Sequence, residues 1–372
     1  MTDLPVIPYG RQTIEDDDVQ AVVDVLRGDY LTTGPAIAEF EQSVAEYVGA
    51  RHAVAYSNAT AGLHGCTAAA GLGPGDSVAT SPLTFVASAN CARYVGADVE
   101  LVDIDPATLN IDVARIPADI DALVAVHFAG LPVDLSALPQ RPRIVIEDAA
   151  QALGAWTPDG PVGNCARSDM TCFSFHPVKP VTTGEGGVVT TNDDELADRL
   201  RRFRSHGTQT QPEHGGWYYS VIETGYNYRL TDIQAALGRS QMKKIDRFIG
   251  RRQELARQYD ELLAPLPFTT APPASEGSGH GYHLYTIRTE QRRAVYELLR
   301  ERKVFTQVHY VPVHHHPAFE YLGASMPHTD QAYDGLLTLP LFPTLTDEQQ
   351  QRVVDALTEV VDELGITEPP SW

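Results

Sequence analysis

The sequence is short of the residues that would tie it to an oxidising compartment, a membrane or a nucleic acid. It has four cysteines, Cys66, Cys91, Cys165 and Cys172, none in CxxC spacing and all beside apolar residues. That pattern argues against a disulfide scaffold and for buried, reduced thiols. No signal-peptide pattern opens the chain, and no apolar run reaches the length of a bilayer span. Basic residues are scarce: 28 Lys and Arg face 49 Asp and Glu, a net charge of −21. Such a surface repels nucleic acid and anionic membranes, although a locally positive pocket for a small anion is compatible with it. The expectation is a cytoplasmic protein with no nucleic-acid or membrane partner.

What is present is a large apolar fraction in a regular order. At 372 residues and 43% hydrophobic content, the chain can bury one large core and a smaller one. A helix is expected over 15–27, with Thr13 as its cap, and another that Pro35 opens and Gly49 closes. From Ala53 onward, short apolar strands (53–56, 77–80, 98–104, 122–128, 143–147, 170–175, 187–191) alternate with helices (59–71, 84–95, 193–203). Strands apolar on both faces predict an α/β fold with a mainly parallel sheet covered on each side. After residue 230 the pattern changes to one long or kinked helix over 231–263, then a loop over 271–281. A strand (282–288), a helix (291–302), a strand (304–310) and a last helix (346–364) follow. They predict a small α/β unit with an antiparallel sheet. The expected division is 1–240 for the large domain with its N-terminal segment and 241–372 for the connecting helix and small domain.

One lysine stands out. Lys179 lies in Phe173-Ser174-Phe175-His176-Pro177-Val178-Lys179-Pro180, between an apolar strand and the turn Thr182-Thr183-Gly184-Glu185-Gly186-Gly187. About thirty residues upstream, the run Ile144-Val145-Ile146 ends in Glu147-Asp148-Ala149-Ala150-Gln151. A strand-end acid with a later lysine is what pyridoxal phosphate chemistry needs: an amine to hold the aldehyde and a carboxylate to keep the ring nitrogen protonated. Open α/β sheets hold ligands at the carboxyl ends of their strands, where Asp148 falls. At ~4 Å, a carboxylate and a pyridinium attract by roughly 4 kcal/mol at an effective dielectric near 20. Taken alone, Asp148 also reads as a helix cap or ion-pair member and Lys179 as a surface lysine. A Schiff-base aldolase without the cofactor explains Lys179 but neither Asp148 nor the turn described next.

Ser57-Asn58-Ala59-Thr60-Ala61-Gly62-Leu63 joins a strand to a helix, so its amides and the Thr60 hydroxyl form an anion site for a phosphate, on Thr60 and Ala61. An ordinary helix cap fits the same residues. Ser174 offers a second phosphate hydroxyl. Gln151, one helical turn after Asp148, faces the ring or its phenolic oxygen. Phe85 is placed to stack on the ring or to pack in the core. Asn227 is a phosphate donor and Arg229 a partner for a substrate anion, with capping and surface ion pairing as the plainer roles. His309-Tyr310-Val311-Pro312-Val313-His314-His315-His316 invites a metal reading. Adjacent histidines diverge on regular backbone and no Cys or Asp spacing closes a site, so no metal is expected and the segment reads as a polar rim. The basic run Arg239, Lys243, Lys244, Arg247, Arg251, Arg252 reads as a solvated helix face beside an apolar stripe. A dimer interface or an anion entry is the alternative.

In order along residues 9–364, these segments resemble the DegT/StrS family of pyridoxal-phosphate-dependent sugar aminotransferases. The matching stretches are LTTGP (31–35), SNATAGL (57–63), TFVASAN (84–90), EDAAQALGA (147–155), SFHPVKPVTTGEGG (174–187), FRSHG (203–207), NYRLTDIQAALGRSQMKK (227–244) and QVHYVPVHHHP (307–317). The resemblance implies the fold-type I, aspartate-aminotransferase-like architecture. It implies that Lys179 is the Schiff-base lysine and Asp148 the pyridinium partner, with Gln151 and Phe85 on the ring and Thr60, Ala61 and Ser174 on the phosphate. It implies a homodimer in which Asn227 reaches the phosphate of the second subunit's site. Tyr9, Thr32, His176, Arg229, His309 and Tyr310 are the candidate substrate contacts. The family's dehydratase branch has histidine at the lysine position, so Lys179 favours transamination. SFH-x-x-KP, FRSHG and QVHY-x-P are similar to the pseudaminic-acid branch. That branch implies a UDP-linked 4-keto sugar as acceptor and L-glutamate as amino donor. Perosamine-type and 4-amino-arabinose-type acceptors stay open, as does a sugar dehydratase. The histidines at 314–316 and the loop at 208–220 have no clear counterpart.

Overall fold

The computed structural model describes residues 5–270, 272 and 277–370. Two helices open it, α1 (Asp16–Arg27) and α2 (Pro35–Val48). Proline at the first position and the left-handed Gly49, φ 76°, just past the end bracket α2 as expected. The cap of α1 is not Thr13. The Glu15 amide donates to Asp18 Oδ2 at 2.9 Å, while the buried Thr13 hydroxyl has no partner among the described residues. Three consecutive acids in the first turn favour that end electrostatically and supply the cap themselves.

The main sheet then builds from β1 (His52–Tyr56), β2 (Ser77–Thr80), β3 (Asp98–Leu101), β4 (Ala122–Val126) and β5 (Ile144–Asp148). A two-residue hairpin, β6 (Trp156–Thr157) with β7 (Gly160–Pro161), precedes β8 (Met170–Ser174) and β9 (Gly187–Thr191). The strand order is β1-β9-β8-β5-β4-β2-β3. From β3 across to β8 every pairing is parallel, and only β9 runs antiparallel to its neighbours β8 and β1. Helices α3 (Ala59–Ala69), α4 (Ala87–Tyr94) and α5 (Asp194–Arg204) cover one face, packing Leu63, Cys66, Cys91 and Leu200 onto Val54, Val124 and Val189. Phe40 and Val44 of α2 pack on Phe173, Phe175 and Val188 on the other. This is the mixed, mostly parallel α/β architecture of the fold-type I class. All four cysteines are free and buried.

Three departures from the expected boundaries matter for the site. The helix expected from 84 starts at Ala87, leaving Thr84 and Phe85 on the loop above β2. The strand expected to reach 128 ends at Val126, and the chain turns over Ala129 and Gly130 with φ 59° and 100°. The long helix is two: α6 (Asp232–Met242) and α7 (Ile245–Leu263). They meet at Lys243-Lys244, where the Lys244 ammonium lies 2.7 Å from carboxylate oxygens of both Asp17 and Asp18.

A hairpin, β10 (Thr208–Thr210) with β11 (Tyr219–Val221), projects between α5 and α6. The last part of the chain adds β12 (Thr269–Thr270), β13 (Tyr285–Arg288) and β14 (Leu336–Leu339) as a three-stranded antiparallel sheet. Helices α8 (Arg292–Glu301), α9 (Pro327–Gly335) and α10 (Asp347–Leu364) accompany it. Its core joins Leu255, Tyr259 and Leu263 of α7 to Tyr285, Leu337 and Leu357. Ile7 packs there too, through a bridge to Val304. The boundary expected at 240/241 falls inside α6, two residues before its end. No strand forms over 304–310. Val304 bridges Ile7 and Gln307 bridges Thr338, so the two partners come from different segments and no ladder extends. Part of the loop expected over 271–281 lies outside the described residues.

Candidate active site

The carboxyl ends of β2, β4, β5 and β8 point the same way, and a cavity of about 660 Å³ opens there. β5 places Asp148 at its end, one residue after Glu147, so the two side chains leave opposite faces of the sheet. Asp148 faces the cavity. Its Oδ2 accepts from the Ser88 hydroxyl at 2.6 Å and its Oδ1 from the Ala150 amide at 3.1 Å. It is 6% exposed, and among the described residues it makes no ion pair. A buried carboxylate fed by neutral donors and lacking a cation is set up to receive one from the cavity.

Glu147 has a different fate. His127 lies 2.7 Å from its Oε2, and Ser168 and Thr171 donate to its Oε1 at 2.5 and 3.0 Å. The Val133 amide donates to His127 Nδ1, which leaves Nε2–H for the carboxylate. This closed network holds the Glu147 carboxyl below its ordinary range against the opposing cost of burial. A second cavity, about 400 Å³ and lined by Asp134, Asp159 and Arg167, reaches Glu147 but neither Lys179 nor Asp148.

Lys179 sits in the loop between β8 and β9. That loop is closed by Phe175 N–H to Gly186 O at 2.9 Å and Thr183 N–H to Phe175 O at 3.0 Å. Its Nζ lies 3.3 Å from His283 Nε2. Burial pushes the amine down to about 8; the Asp148 charge opposes that and the Arg252 guanidinium reinforces it. A lysine in that range supplies free base near neutral pH, as amine chemistry requires.

Of the residues singled out in the sequence, the cavity wall brings together Thr60, Phe85, Asp148, Gln151, Ser174 and Lys179. Tyr9, His176, His309 and Tyr310 join them. Four do not line it. The Ala61 amide is taken by the Asn58 side chain at 2.9 Å, so the turn carries a helix cap at the place expected to hold phosphate. Thr32 and Asn227 are exposed, in bridges to Thr231 and Ser205. Arg229 is half-buried, and among the described residues its Nε lacks a partner. Gln151 is committed at both ends: its Nε2 donates to Tyr310 Oη at 2.6 Å and its Oε1 accepts from the Ala129 amide at 2.6 Å. It therefore ties the Tyr310 ring to the turn after β4. His309 Nδ1 contacts Thr338 Oγ1 at 2.8 Å. Burial and the nearby Lys179 push that imidazole down to about 3.

Two buried groups at the site had escaped the sequence reading. His283 enters just ahead of β13, 104 residues from Lys179 in the chain. Its imidazole is driven well below the ordinary histidine range by burial, then by Lys179 and Arg252. Arg252 looked like one of six basic residues on a helix face. Four of the others do pair with acids: Arg247 with Glu15, Arg251 with Asp347, Arg239 with Glu39, and Lys244 with Asp17 and Asp18. Arg252 instead shares the buried stripe of Ile245, Phe248, Ile249, Leu255, Ala256 and Tyr259. That period alone marks it as inward-facing.

The histidine run is not splayed throughout. His314 and His315 sit in one 3-10 turn, and the Nε2 atoms of both lie 2.8 Å from Asp330 Oδ1. The contact clips this turn to α9. The buried Nδ1 of His314 has no partner to orient the ring as a metal ligand.

With this geometry in view, likeness to known proteins narrows the chemistry. The model of the DegT/DnrJ/EryC1/StrS aminotransferase family matches residues 12–358. The spore coat polysaccharide biosynthesis protein SpsC of Bacillus subtilis is 36% identical, over 95% of this chain and 97% of that one. The structure of Helicobacter pylori PseC, an aminotransferase involved in the biosynthesis of pseudoaminic acid, superposes with a TM-score of 0.89. It is 29% identical, and the match covers 96% of this chain and all of that one. The sugar aminotransferase CalS13 of Micromonospora echinospora gives 0.86 at 30% identity, covering 95% and 99%.

Proposed function

The chain belongs to the DegT/DnrJ/EryC1/StrS aminotransferase family and is a sugar aminotransferase dependent on pyridoxal 5′-phosphate; from that premise we propose that it transfers the amino group of L-glutamate to a nucleotide-linked 4-keto sugar. The acceptor we infer is UDP-2-acetamido-2,6-dideoxy-β-L-arabino-hex-4-ulose. Its product would be UDP-4-amino-4,6-dideoxy-N-acetyl-β-L-altrosamine.

One observation carries the chemistry. Asp148, buried and without a cation of its own, shares a cavity with Lys179, an amine held down to about 8. The donor set fits the cofactor: an anion for the ring nitrogen, an amine for the aldehyde, and hydroxyls at Thr60 and Ser174 for the phosphate. When bound, pyridoxal phosphate supplies an aldehyde carbon and an electron-accepting ring. Lys179 would link to it at rest, and once released would carry the proton between the amino-acid carbon and the cofactor, as base and then as acid. Asp148 would keep the ring nitrogen protonated, and Ser88 would hold the Asp148 carboxylate in place. Phe85 would cover one ring face. Asn227 of a second subunit would complete the phosphate site. Tyr9, His176, His309 and Tyr310 would face the sugar, with Thr32 and Arg229 nearer the mouth.

The acceptor rests on the motifs shared with the pseudaminic-acid branch and on the likeness to PseC. It is tested by glutamate-dependent amination across UDP-, GDP- and dTDP-linked 4-keto sugars, with product configuration assigned by NMR. We expect the UDP L-arabino ketone to be preferred and the C4 amine to have the configuration of the altrosamine product. Preference for a GDP or dTDP sugar would replace the acceptor. Water loss without glutamate consumption would replace the reaction class.

A further inference from the structure

Arg252 is 1% exposed, and among the described residues it meets no carboxylate. The only partners of its guanidinium among the described residues are carbonyls. Nη1 donates to Leu341 O at 3.0 Å and to Tyr282 O and His283 O at 3.3 Å, and Nη2 to Val178 O at 3.4 Å. Nε has no partner. Removing a cation from water without pairing it is costly, and surface basic residues on the same helix avoid that cost by pairing with acids. The two carbonyls that matter belong to Val178, the residue before Lys179, and to His283, the residue facing Lys179. The same guanidinium thus grips both sides of the 3.3 Å contact between Lys179 Nζ and His283 Nε2.

The contact has its own polarity. His283 is 4% exposed, and among the described residues its Nδ1 has no partner. A buried donor left unpaired is the costlier orphan, so whenever Lys179 is uncharged the proton belongs on Nε2, which then donates to the lysine lone pair. The other titratable groups lining the cavity are Asp148, Glu185, His176, His309, Tyr9 and Tyr310. Only the two acids favour an ammonium there.

Resting on the aminotransferase reading above, we propose that Arg252 is a positioning residue for the amine chemistry. It fixes the Lys179–His283 approach through the two carbonyls, and its unpaired charge disfavours a second cation in the cavity. His283, which touches the reacting amine, is the group so positioned. Burial lowers the guanidinium to about 10, so it remains a cation at neutral pH.

The test reads Lys179 directly and uses no sugar, so it fails or succeeds independently of the acceptor. In the full-length enzyme in its pyridoxamine phosphate form, Lys179 is free. Trace acetic anhydride labelling across pH, with the Lys179 peptide quantified against exposed Lys243 by mass spectrometry, gives the midpoint of the amine. Arg252→Met should raise that midpoint by about one pH unit, a roughly tenfold fall in labelling at neutral pH. Arg252→Lys keeps the charge but not the fork. It should leave the midpoint in place while slowing the glutamate half-reaction, followed by cofactor absorbance, roughly tenfold. A folded Arg252→Met with the wild-type midpoint overturns the proposal, as does an Arg252→Lys midpoint as high as that expected of Met. If Arg252→Met does not fold, Arg252→Lys and the wild type decide. A wild-type Lys179 that titrates like an ordinary lysine, near ~10.4, also overturns it.

Discussion

The floor and the rim of the cavity are built by different rules. On the floor, Asp148, Gln151, Lys179 and His283 are interlocked with Ser88, Ala129, Tyr310 and Arg252 through hydrogen bonds that the chain makes with itself. On the rim, Phe85 is 57% exposed, and outside the cavity wall the β10–β11 hairpin is more exposed still, with Trp217 at 82%, Tyr219 at 60% and Val221 at 65%. Large apolar groups gathered on one exposed hairpin form a patch of the kind that protein contacts use. The difference teaches where one chain is sufficient. The amine and its carboxylate are complete within it. Asn227, expected to serve the site of a second subunit, is exposed and lies off this chain's own cavity wall.

The largest effect should come from the floor. Lys179→Ala is expected to lower multiple turnover of sugar and glutamate by at least about a thousandfold while the chain still folds. Its stability carries a second signature. In the cofactor-free protein the folded-state value near 8 lies below the ordinary 10.5. Between those limits the unfolded chain binds more protons, so wild-type stability rises with pH across that window and is lowest below it. The variant should lack this rise and, at neutral pH, be more stable by about 3 kcal/mol, less the packing lost with the side chain. Urea unfolding of both proteins at several pH values checks this. Sustained turnover in the variant would end the assignment of the amine.

Much of the floor was legible in the sequence because it is local. A strand that ends in an acid and a strand that runs into a glycine-rich turn are short patterns, and the parallel sheet then carries both to one edge. The strand and helix series over 52–204 was legible for the same reason, up to a few residues at the ends. What escaped depends on distant packing. His283 acquires its role only when the second core folds against the first, and Arg252 is distinguished from Arg251 only by the side of the helix it occupies. Periodicity held that second signal, but charge was given more weight. Thr13 and the 304–310 segment misled because their local patterns were sound, while the partners were chosen elsewhere: acids inside α1 for the cap, and two unrelated segments for the bridges.

The exposed hairpin and Asn227 give the intermediate effect. If a second copy of this chain covers the hairpin, Trp217→Ser with Tyr219→Ser should weaken self-association by about a hundredfold or more, as loss of aromatic anchors does. Asn227→Ala should lower cofactor affinity about tenfold with no change in association, since it removes one hydrogen bond to a charged group. Sedimentation equilibrium and cofactor titration separate the two. A monomer that binds the cofactor at full affinity would show that the floor alone makes the site.

The smallest effect lies where floor and rim meet, at the turn before α3. Asn58 Oδ1 holds the Ala61 amide that a phosphate could otherwise take. The backbone there cannot shift freely, because Gly187 approaches so closely that a Cβ on it would lie 2.5 Å from the Asn58 carbonyl carbon. Asn58→Ala removes the cap and should cost about 1 kcal/mol of stability. If Thr60 and Ser174 carry the phosphate without Ala61, cofactor affinity should stay within a factor of about three of wild type, because the freed amide replaces a neutral bond. Affinity that rises tenfold would mean that the Ala61 amide joins the phosphate site once its cap is gone. Affinity that falls tenfold would mean that the Asn58 side chain leaves Ala61 to bind the cofactor itself. Isothermal titration of the variant with pyridoxal phosphate, beside its urea midpoint, decides between a turn that mainly caps a helix and one that mainly grips an anion.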